Sequence, residues 1–266
     1  MNITHLSFTK LKHLAHSPRA LWLYMEGSTK PTKAMDEGRL LDVLLFTPEL
    51  FEEQFYLMPT NAKKPTAAQL NAKKPSDDTL EQIERWREIE AESEGKTIIT
   101  EDQLEEAQAL EYAIRYNRTI SHHGLLDPAY FDFQVPVEFT YKGYEHRGFI
   151  DASGRDRRGN NVIWDLKRMG AKSGESQVRW AIRDNMYDLQ AAIYCHAADT
   201  NGIKIKYYII AVDNNGFVTP FEITKEARDV ARGTWDYLIE SLQKLERMDH
   251  IPGVEFWANK EGFFSY

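Results

Sequence analysis

The order of extended and helical segments predicts a layered α/β or α+β core. Five segments have a β-rich or period-two pattern: 130–140, 144–154, 161–168, 203–213 and 217–223. A helical period occupies 176–198, between the third and fourth of them, and a last long helix is predicted over 225–248. Strands that alternate with helices along a chain pack as a sheet covered by helices.

The first 120 residues are predicted to be mainly helical. Ser7 is suited to cap a first helix, and Pro18 is suited to begin a second. The segment 35–46 is the most apolar helix of this half and must end before Pro48. The sequence NAKKP occurs at 61–65 and again at 71–75 without apolar periodicity, which predicts a mobile loop over about 59–78.

Length and composition favour one folded domain over residues 1–266, with a helical lobe at 1–120 and a core at 121–266. The chain is 42% hydrophobic, which excludes disorder over the whole chain. A single cysteine, Cys195, excludes an internal disulfide, a four-thiolate zinc site and a cysteine-ligated iron–sulfur cluster. Because no run approaches the ~18 apolar residues of a membrane span, we expect a soluble protein of the cytoplasm, with no membrane partner.

The most informative segment is a predicted hairpin that joins GFID, at 148–151, to WDLK, at 164–167. Gly154 and Gly159 mark a turn near position 158, which is also midway between Asp151 and Asp165. The two acids should therefore face each other on adjacent antiparallel strands, where like charges repel and favour a cation. Lys167 lies two residues after Asp165 and should share its face of the strand.

Two carboxylates and an ammonium on one surface are typical of a hard-metal site. Mg²⁺ binds a few carboxylates, and water and substrate phosphate complete its coordination. Such an ion lowers the pKa of a bound water and neutralises charge on a phosphoryl oxygen. Lys167 could orient or deprotonate that water, or stabilise the transition state. The alternative is a surface hairpin with an ordinary ion pair.

Asp151 followed by Asp165-x-Lys167 resembles the PD-(D/E)xK nuclease motif. Gln190 and Tyr194 lie four residues apart on one helical face and are similar to the QxxxY motif of the RecB-like branch. Further upstream, the opening LSFTKLKHLAHSP, the apolar helix that contains Gly38 and the strand that contains Glu138 resemble phage and prophage exonucleases of the exodeoxyribonuclease VIII (RecE) type.

This resemblance implies an α/β restriction-endonuclease-like core, with a central mixed sheet flanked by helices. It implies that Asp151, Asp165 and the carbonyl of Leu166 bind Mg²⁺, with Mn²⁺ as a second possibility, and that Lys167 serves the attacking water. The other implied site residues position DNA or the catalytic groups, or add an acid near them: Gln190, Tyr194 and Glu138.

The same resemblance implies a metal-dependent exodeoxyribonuclease that acts on linear double-stranded DNA from 5′ to 3′ and leaves single-stranded tails for recombination by strand annealing. A ring-like homo-oligomer, a partner annealing protein and the cytoplasm of a bacterial or phage-infected cell are implied with it. An endonuclease or a single-strand DNase on the same core stays an alternative.

One position departs from the family pattern. The N-terminal helix of these nucleases usually carries Gly-x-x-x-His, whereas here Asp42 stands four residues after Gly38. Asp is an oxygen ligand suited to Mg²⁺ or Mn²⁺, so we expect Asp42 to face the metal. A weakened site, and hence a catalytically silent DNA-binding protein, is the alternative.

Charge is distributed unevenly along the chain, whose net charge is −8. The segment 77–111, predicted to be helical, has 13 acidic and 3 basic residues, whereas 142–183 has 10 basic and 5 acidic residues. The basic segment surrounds the hairpin and favours contact with phosphates. The candidates for DNA binding are Arg147, Arg168, Lys172 and Arg179. A protein-interaction module that uses the acidic helices would explain the charge but not the hairpin.

Overall fold

The computed structural model describes residues 3–28, 32–170 and 172–258. Its helices are α1 (Phe8–His16), α2 (Pro18–Met25), α3 (Lys33–Phe46), α4 (Phe51–Gln54), α5 (Ala67–Leu70), α6 (Asp77–Glu92), α7 (Glu101–Arg115), α8 (Arg118–His123), α9 (Glu175–Asp184), α10 (Tyr187–Tyr194), α11 (His196–Thr200) and α12 (Lys225–Leu245). Its strands are β1 (Phe55–Leu57), β2 (Thr97–Ile99), β3 (Phe131–Tyr141), β4 (Tyr144–Arg155), β5 (Asn161–Arg168), β6 (Ile205–Val212) and β7 (Val218–Ile223). Short 3₁₀ turns lie at Pro48–Leu50 and Val254–Trp257.

The chain forms two compact units, one of residues 1–31 with 114–266 and one of residues 32–113. The second unit pairs β1 with β2 in parallel. Its main core contains Leu40, Val43, Phe55, Ile99 and Ala107. The boundaries of the units thus differ from the predicted boundary at residue 120, and the single domain over 1–266 stays a prediction.

The first unit contains a five-stranded mixed sheet in the order β3-β4-β5-β6-β7. Only β5 and β6 are parallel, and α9, α10 and α11 form the long connection that parallel neighbours require. On one face Trp164 stacks on Tyr208 and meets His123 of α8. On the other face Ile163 packs with Val178 of α9 and Ala191 of α10. The predicted α/β class, with a mixed sheet between helices, is confirmed.

The two N-terminal helices belong to the same unit as the sheet. As predicted, Ser7 caps α1, and Pro18 is the first residue of α2. Leu11 and Leu14 are buried in one core with Leu189 of α10 and Trp235 of α12. Apolar burial of this kind fixes α1 against the helices that cover the sheet.

The predicted helical period over 176–198 corresponds to three consecutive helices, α9, α10 and α11, with short breaks between them. The first break falls at Met186, which has a left-handed backbone with φ of 57°. A non-glycine residue rarely adopts this conformation, so no local sequence pattern predicts it. Lys12 of α1 donates to the side chain of Asn185 at 2.7 Å, which fixes the break through a contact distant in sequence.

The prediction that the whole of 77–111 is helical is wrong, since β2 separates α6 from α7. Glu94 and Gly95, both with positive φ, turn the chain before β2. Strands of three residues are too short for a period to reveal them. Within 59–78, Thr66 and Gln69 form a capping box that begins α5, so this segment contains a helical turn.

No helix in the described ranges is long and apolar enough to cross a membrane.

Candidate active site

Asp151 lies where β4 and β5 separate. The pairing of these strands begins at Ala152 with Trp164, and one further step in the same register would set Asp151 against Asp165. Instead, Asp151 Oδ2 accepts a hydrogen bond from the amide of Leu166 at 2.7 Å. On its other side, the ladder with β3 passes over Gln134, whose φ is 49°. This local irregularity coincides with the point at which the Asp151 carboxylate meets β5.

The amide of Leu166 also indicates the direction of its carbonyl. The N–H and C=O of one strand residue point to the same side of the strand. Because the N–H of Leu166 meets Asp151, its carbonyl oxygen is directed to that side of β5 as well. The separation of the strands therefore presents a main-chain oxygen beside the Asp151 carboxylate.

Asp165 is a buried carboxylate in the middle of β5. Its Oδ1 accepts a hydrogen bond from Gln190 Nε2 at 3.0 Å, and its Oδ2 lies 2.5 Å from Lys167 Nζ. The expected common face of Asp165 and Lys167 is thus present. A carboxylate with so little access to water requires partners of this kind.

Lys167 is held between carboxylates and an aromatic ring. Its Nζ lies 4.7 Å from the centre of the Tyr187 ring, a cation–π distance. Burial alone would lower the pKa of the Lys167 ammonium, but the charges of Asp165 and Asp151 raise it above its ordinary value. Lys167 is therefore a cation here, and two carboxylates stabilise it.

The Gln190 and Tyr194 side chains connect α10 to both strands of the hairpin. Gln190 binds Asp165 of β5, whereas the Tyr194 ring lies against Gly148 of β4. A Cβ atom at position 148 would lie 2.9 Å from Tyr194 Oη, so glycine makes room for the phenol. Burial and then the charge of Asp165 raise the pKa of Tyr194 to about 12, which keeps the phenol protonated at neutral pH.

Sequence reasoning missed three residues around this site: Tyr187, Gly148 and Lys12. Tyr187 lies three residues before Gln190 and thus on its helical face, a signal that the sequence contained. The role of Gly148 depends on Tyr194, 46 positions later, and Lys12 reaches Asn185 across 173 positions. No local pattern could reveal these two contacts.

Glu138 lies away from the buried carboxylates. It pairs with Arg147 across the β3–β4 ladder, and the two side chains form an exposed ion pair of 3.4 Å. Arg147 precedes Asp151 by four residues, or about 13 Å of strand. The structure therefore does not bring Glu138 to Asp151 and Asp165.

The other three candidate DNA-binding residues follow β5 or end it. Arg168 donates to Asn214 at 3.3 Å, and Lys172 is exposed. Arg179 forms an ion pair of 2.9 Å with Glu175 and lies over the Phe221 ring. All three come after Lys167 in the chain, within 12 residues of it.

Asp42 is a half-buried residue of α3 and belongs to the second compact unit. The unit that contains the sheet contributes Asp151, Asp165, Lys167 and Gln190. The proposed metal-facing role of Asp42 therefore stays a proposal.

The donor set fits a hard divalent cation. Asp151, Asp165 and the Leu166 carbonyl offer oxygen atoms, which Mg²⁺ and Mn²⁺ prefer. Across the described ranges, no group of three or more His, Cys, Asp or Glu side chains could hold a metal ion. Two carboxylates with a main-chain carbonyl nevertheless match Mg²⁺, which keeps several water ligands and completes its coordination with substrate phosphate.

Comparison with known proteins supports this interpretation of the fold. Residues 7–254 match the family model of a PDDEXK-like domain of unknown function, DUF3799. A solved structure described as "Putative exonuclease" from Eubacterium rectale superposes with a TM-score of 0.55 at 13% identity, over 92% of this chain and 80% of that chain. The protein SSO0001 has a TM-score of 0.30 and 14% identity, over 77% and 83% of the two chains. A search of curated proteins found no match.

Proposed function

The chain belongs to the PDDEXK-like family DUF3799, and on that premise we propose that it is a metal-dependent exodeoxyribonuclease that hydrolyses the phosphodiester bonds of linear double-stranded DNA. One observation carries the proposal. Asp165 lies in contact with both Lys167 of the hairpin and Gln190 of α10, so that the two motifs meet at one carboxylate. An ordinary surface ion pair would not require a buried amide from another element.

The residues of this chain suit metal-assisted hydrolysis. Asp151, Asp165 and the Leu166 carbonyl would hold Mg²⁺ or Mn²⁺, which when bound supplies an activated water and neutralises phosphoryl charge. Gln190 fixes one oxygen of Asp165, so the carboxylate keeps its orientation. Lys167 places a cation beside the carboxylates, where it orients the attacking water or stabilises charge on the phosphoryl group.

Finer features of the proposal come from the motif resemblance. They are 5′ to 3′ polarity, single-stranded tails for recombination by strand annealing, a ring-like homo-oligomer, a partner annealing protein and a cytoplasmic location. Phosphate contacts are assigned to Arg147, Arg168, Lys172 and Arg179. Tyr194 positions the catalytic groups, and Glu138 supplies a further acid outside the buried pair.

Digestion of labelled DNA tests the proposal. Linear duplexes labelled at the 5′ or the 3′ end, a labelled single strand and a covalently closed circle are incubated with Mg²⁺, Mn²⁺ or EDTA. We expect loss of linear DNA from one end, survival of the circle, and no digestion with EDTA or with Asp165→Ala. The matched control is Asp132→Ala, which removes an exposed acid of β3 and should leave digestion unchanged.

Other outcomes separate the alternatives. If the circle is cut as readily as linear DNA, the protein is an endonuclease on this core. If only single-stranded substrate is degraded, it is a single-strand DNase. If no DNA is cut with either metal, the catalytic proposal fails, and the substitution of Asp42 for the usual His marks a silent DNA-binding protein.

A further inference from the structure

Trp180 is an exposed tryptophan on α9, the helix that follows the strand of Asp165 and Lys167. Its side chain is 64% exposed, whereas Trp164 and Trp235 are fully buried. The guanidinium of Arg183, one turn later, lies 4.6 Å from the centre of the Trp180 ring. Exposure of a large aromatic ring to water is costly, and the packing of α9 does not require it, since Val178 supplies the buried contact.

Helix α9 packs on the face of the sheet that carries Asp165, and Trp180 lies on its exposed side. Val178 packs with Ile163, which shares the face of β5 that carries Asp165. Trp180 precedes Asn185, the C-cap residue of α9, by five residues, or about 7.5 Å of helix axis. Two residues after Asn185, Tyr187 contacts the Lys167 ammonium. Trp180 and Arg183 therefore lie within two helical turns of the segment that holds Lys167.

Charge around the ring suits an anionic partner. Arg179 on the same helix is neutralised by Glu175, 2.9 Å away. The Arg183 guanidinium forms no ion pair with any residue that the structure describes, and it lies against the Trp180 ring. Its positive charge is therefore available to a phosphate, while the ring beside it presents an apolar face. A cation next to an exposed aromatic face is the combination that binds a nucleotide of single-stranded DNA.

We propose that Trp180 and Arg183 form a base-stacking element that holds an unpaired nucleotide of the DNA beside the active site. Within a duplex both faces of a base are covered by its neighbours, so only an unpaired or terminal base can offer a face to Trp180. The inference rests on the proposed function for the identity of the substrate. It specifies that substrate further, as DNA with unpaired bases at the end that enters the site.

Binding without cleavage tests the inference. Fluorescence anisotropy in EDTA measures the affinity of the full chain for a labelled 12-nucleotide oligo-dT and for an abasic oligomer of equal length and charge. We expect Trp180→Ala to weaken oligo-dT binding about tenfold and to leave binding of the abasic oligomer unchanged, since only the former has bases to stack. Trp180→Phe should retain most of the affinity, because it keeps an aromatic face.

Tyr130 provides the matched control. Arg157 lies 5.5 Å from the centre of its partly exposed ring, so a guanidinium again accompanies an aromatic face, although here Asp127 pairs with the guanidinium at 3.3 Å. Tyr130 precedes β3 and its carbonyl binds Arg155 at the end of β4, near the hairpin turn and away from Lys167. Tyr130→Ala should bind both oligomers as the parent does.

The outcomes separate this inference from the proposed function. Equal binding of oligo-dT by the parent and Trp180→Ala, or equal weakening for the base-containing and abasic oligomers, would overturn base stacking even if the parent digests DNA. Loss of affinity in both Trp180→Ala and Trp180→Phe would also contradict it, since the aromatic face would not matter. If Trp180→Ala selectively loses oligo-dT binding but the parent digests no DNA, the result would support the stacking element and contradict the nuclease proposal.

Discussion

Asp156 and Asp165 lie in the same β4–β5 hairpin region, and both are 2% exposed, yet they are held in different ways. Asp156, just after β4, accepts hydrogen bonds from the amides of Arg158 and Asn160 at 3.0 and 2.8 Å, and lies 2.8 Å from His123 Nδ1. Among the residues that the structure describes, the partners of Asp165 are two side chains, Gln190 and Lys167.

The difference separates a structural carboxylate from one that can exchange partners. Burial would raise the pKa of Asp156, but hydrogen bonds from Asn160 and His123 lower it below its ordinary value, so the charged form is retained. Amide donors of the turn cannot leave without unfolding it. Side-chain donors such as Lys167 can move while the strand stays in place. Asp165 can therefore exchange such a donor for a metal ion without a change in the backbone.

The largest expected effect is on activity at Asp165. Asp165→Asn keeps the shape but removes a charge that would hold the metal, so the cleavage rate of linear DNA should fall about 10³-fold or more. The fold should persist, because Asp151 still stabilises the Lys167 cation and the Asn side chain keeps an oxygen acceptor for Gln190. Rates from labelled duplexes together with thermal unfolding check both statements. A variant that cleaves at the parent rate would contradict the assignment.

Asp156 should respond in the opposite way. Asp156→Ala leaves the amides of Arg158 and Asn160 and the ring of His123 without their acceptor, at a cost of about 3 kcal/mol in the free energy of unfolding. The cleavage rate per folded molecule should be unchanged. Urea unfolding and assays below the unfolding midpoint measure the two quantities. If Asp156→Ala has normal stability but no activity, Asp156 would be a catalytic carboxylate and not a structural one.

Gln190 tests whether Asp165 must be held in one orientation, because Gln190 acts through its hydrogen bond to that carboxylate. Gln190→Ala removes the donor to Asp165 Oδ1, and the loss of orientation should lower the cleavage rate about 30-fold. Adding Mn²⁺ over a range of concentrations should show a weaker apparent metal affinity. Gln108→Ala, at an exposed position of α7, is the control and should behave as the parent. No change in either quantity would mean that Gln190 is only a packing residue.

His146 is a third kind of buried group, stacked on Phe139 and against Trp235. Burial, and then the charge of His196, lowers the pKa of His146 to about 4. The unfolded chain therefore binds the proton first, so stability is full above pH 6.5 and falls as the pH drops toward 4. Between pH 7 and pH 5 this loss should be about 2 kcal/mol.

The variant His146→Leu isolates that effect. Its free energy of unfolding should still decline between pH 7 and pH 5, because the other histidines remain. The decline should be smaller than in the parent by about 2 kcal/mol, the contribution of His146. Urea titrations at the two pH values measure the difference. Parallel declines in the parent and the variant would show that His146 does not titrate in this range.

The sequence was sufficient for features that depend on local periods and on turn symmetry. The predicted strand 161–168 coincides with β5, and the symmetry about position 158 matches the register of Ala152 with Trp164. The shared face of Asp165 and Lys167 follows from the same alternation. These features need no knowledge of distant residues.

Other features depend on contacts between distant residues. The GRDRRGNN turn looks like an ordinary polar loop, and the role of Asp156 appears only when His123, 33 positions earlier, meets it. Met186 divides the predicted helical segment 176–198 with a left-handed backbone that its residue type does not favour. Turn symmetry predicts that Asp151 faces Asp165 directly, whereas its carboxylate accepts a hydrogen bond from the amide of Leu166, because β4 and β5 separate at that point.

Isothermal titration calorimetry with Mn²⁺ tests most directly the claim that the hairpin carboxylates hold a metal. It compares the parent, Asp165→Asn and Asp156→Asn at a temperature where all three are folded. We expect a saturable binding heat in the parent and in Asp156→Asn, and its loss in Asp165→Asn. Equal heats in the parent and in Asp165→Asn would contradict the account, because the metal would then bind elsewhere.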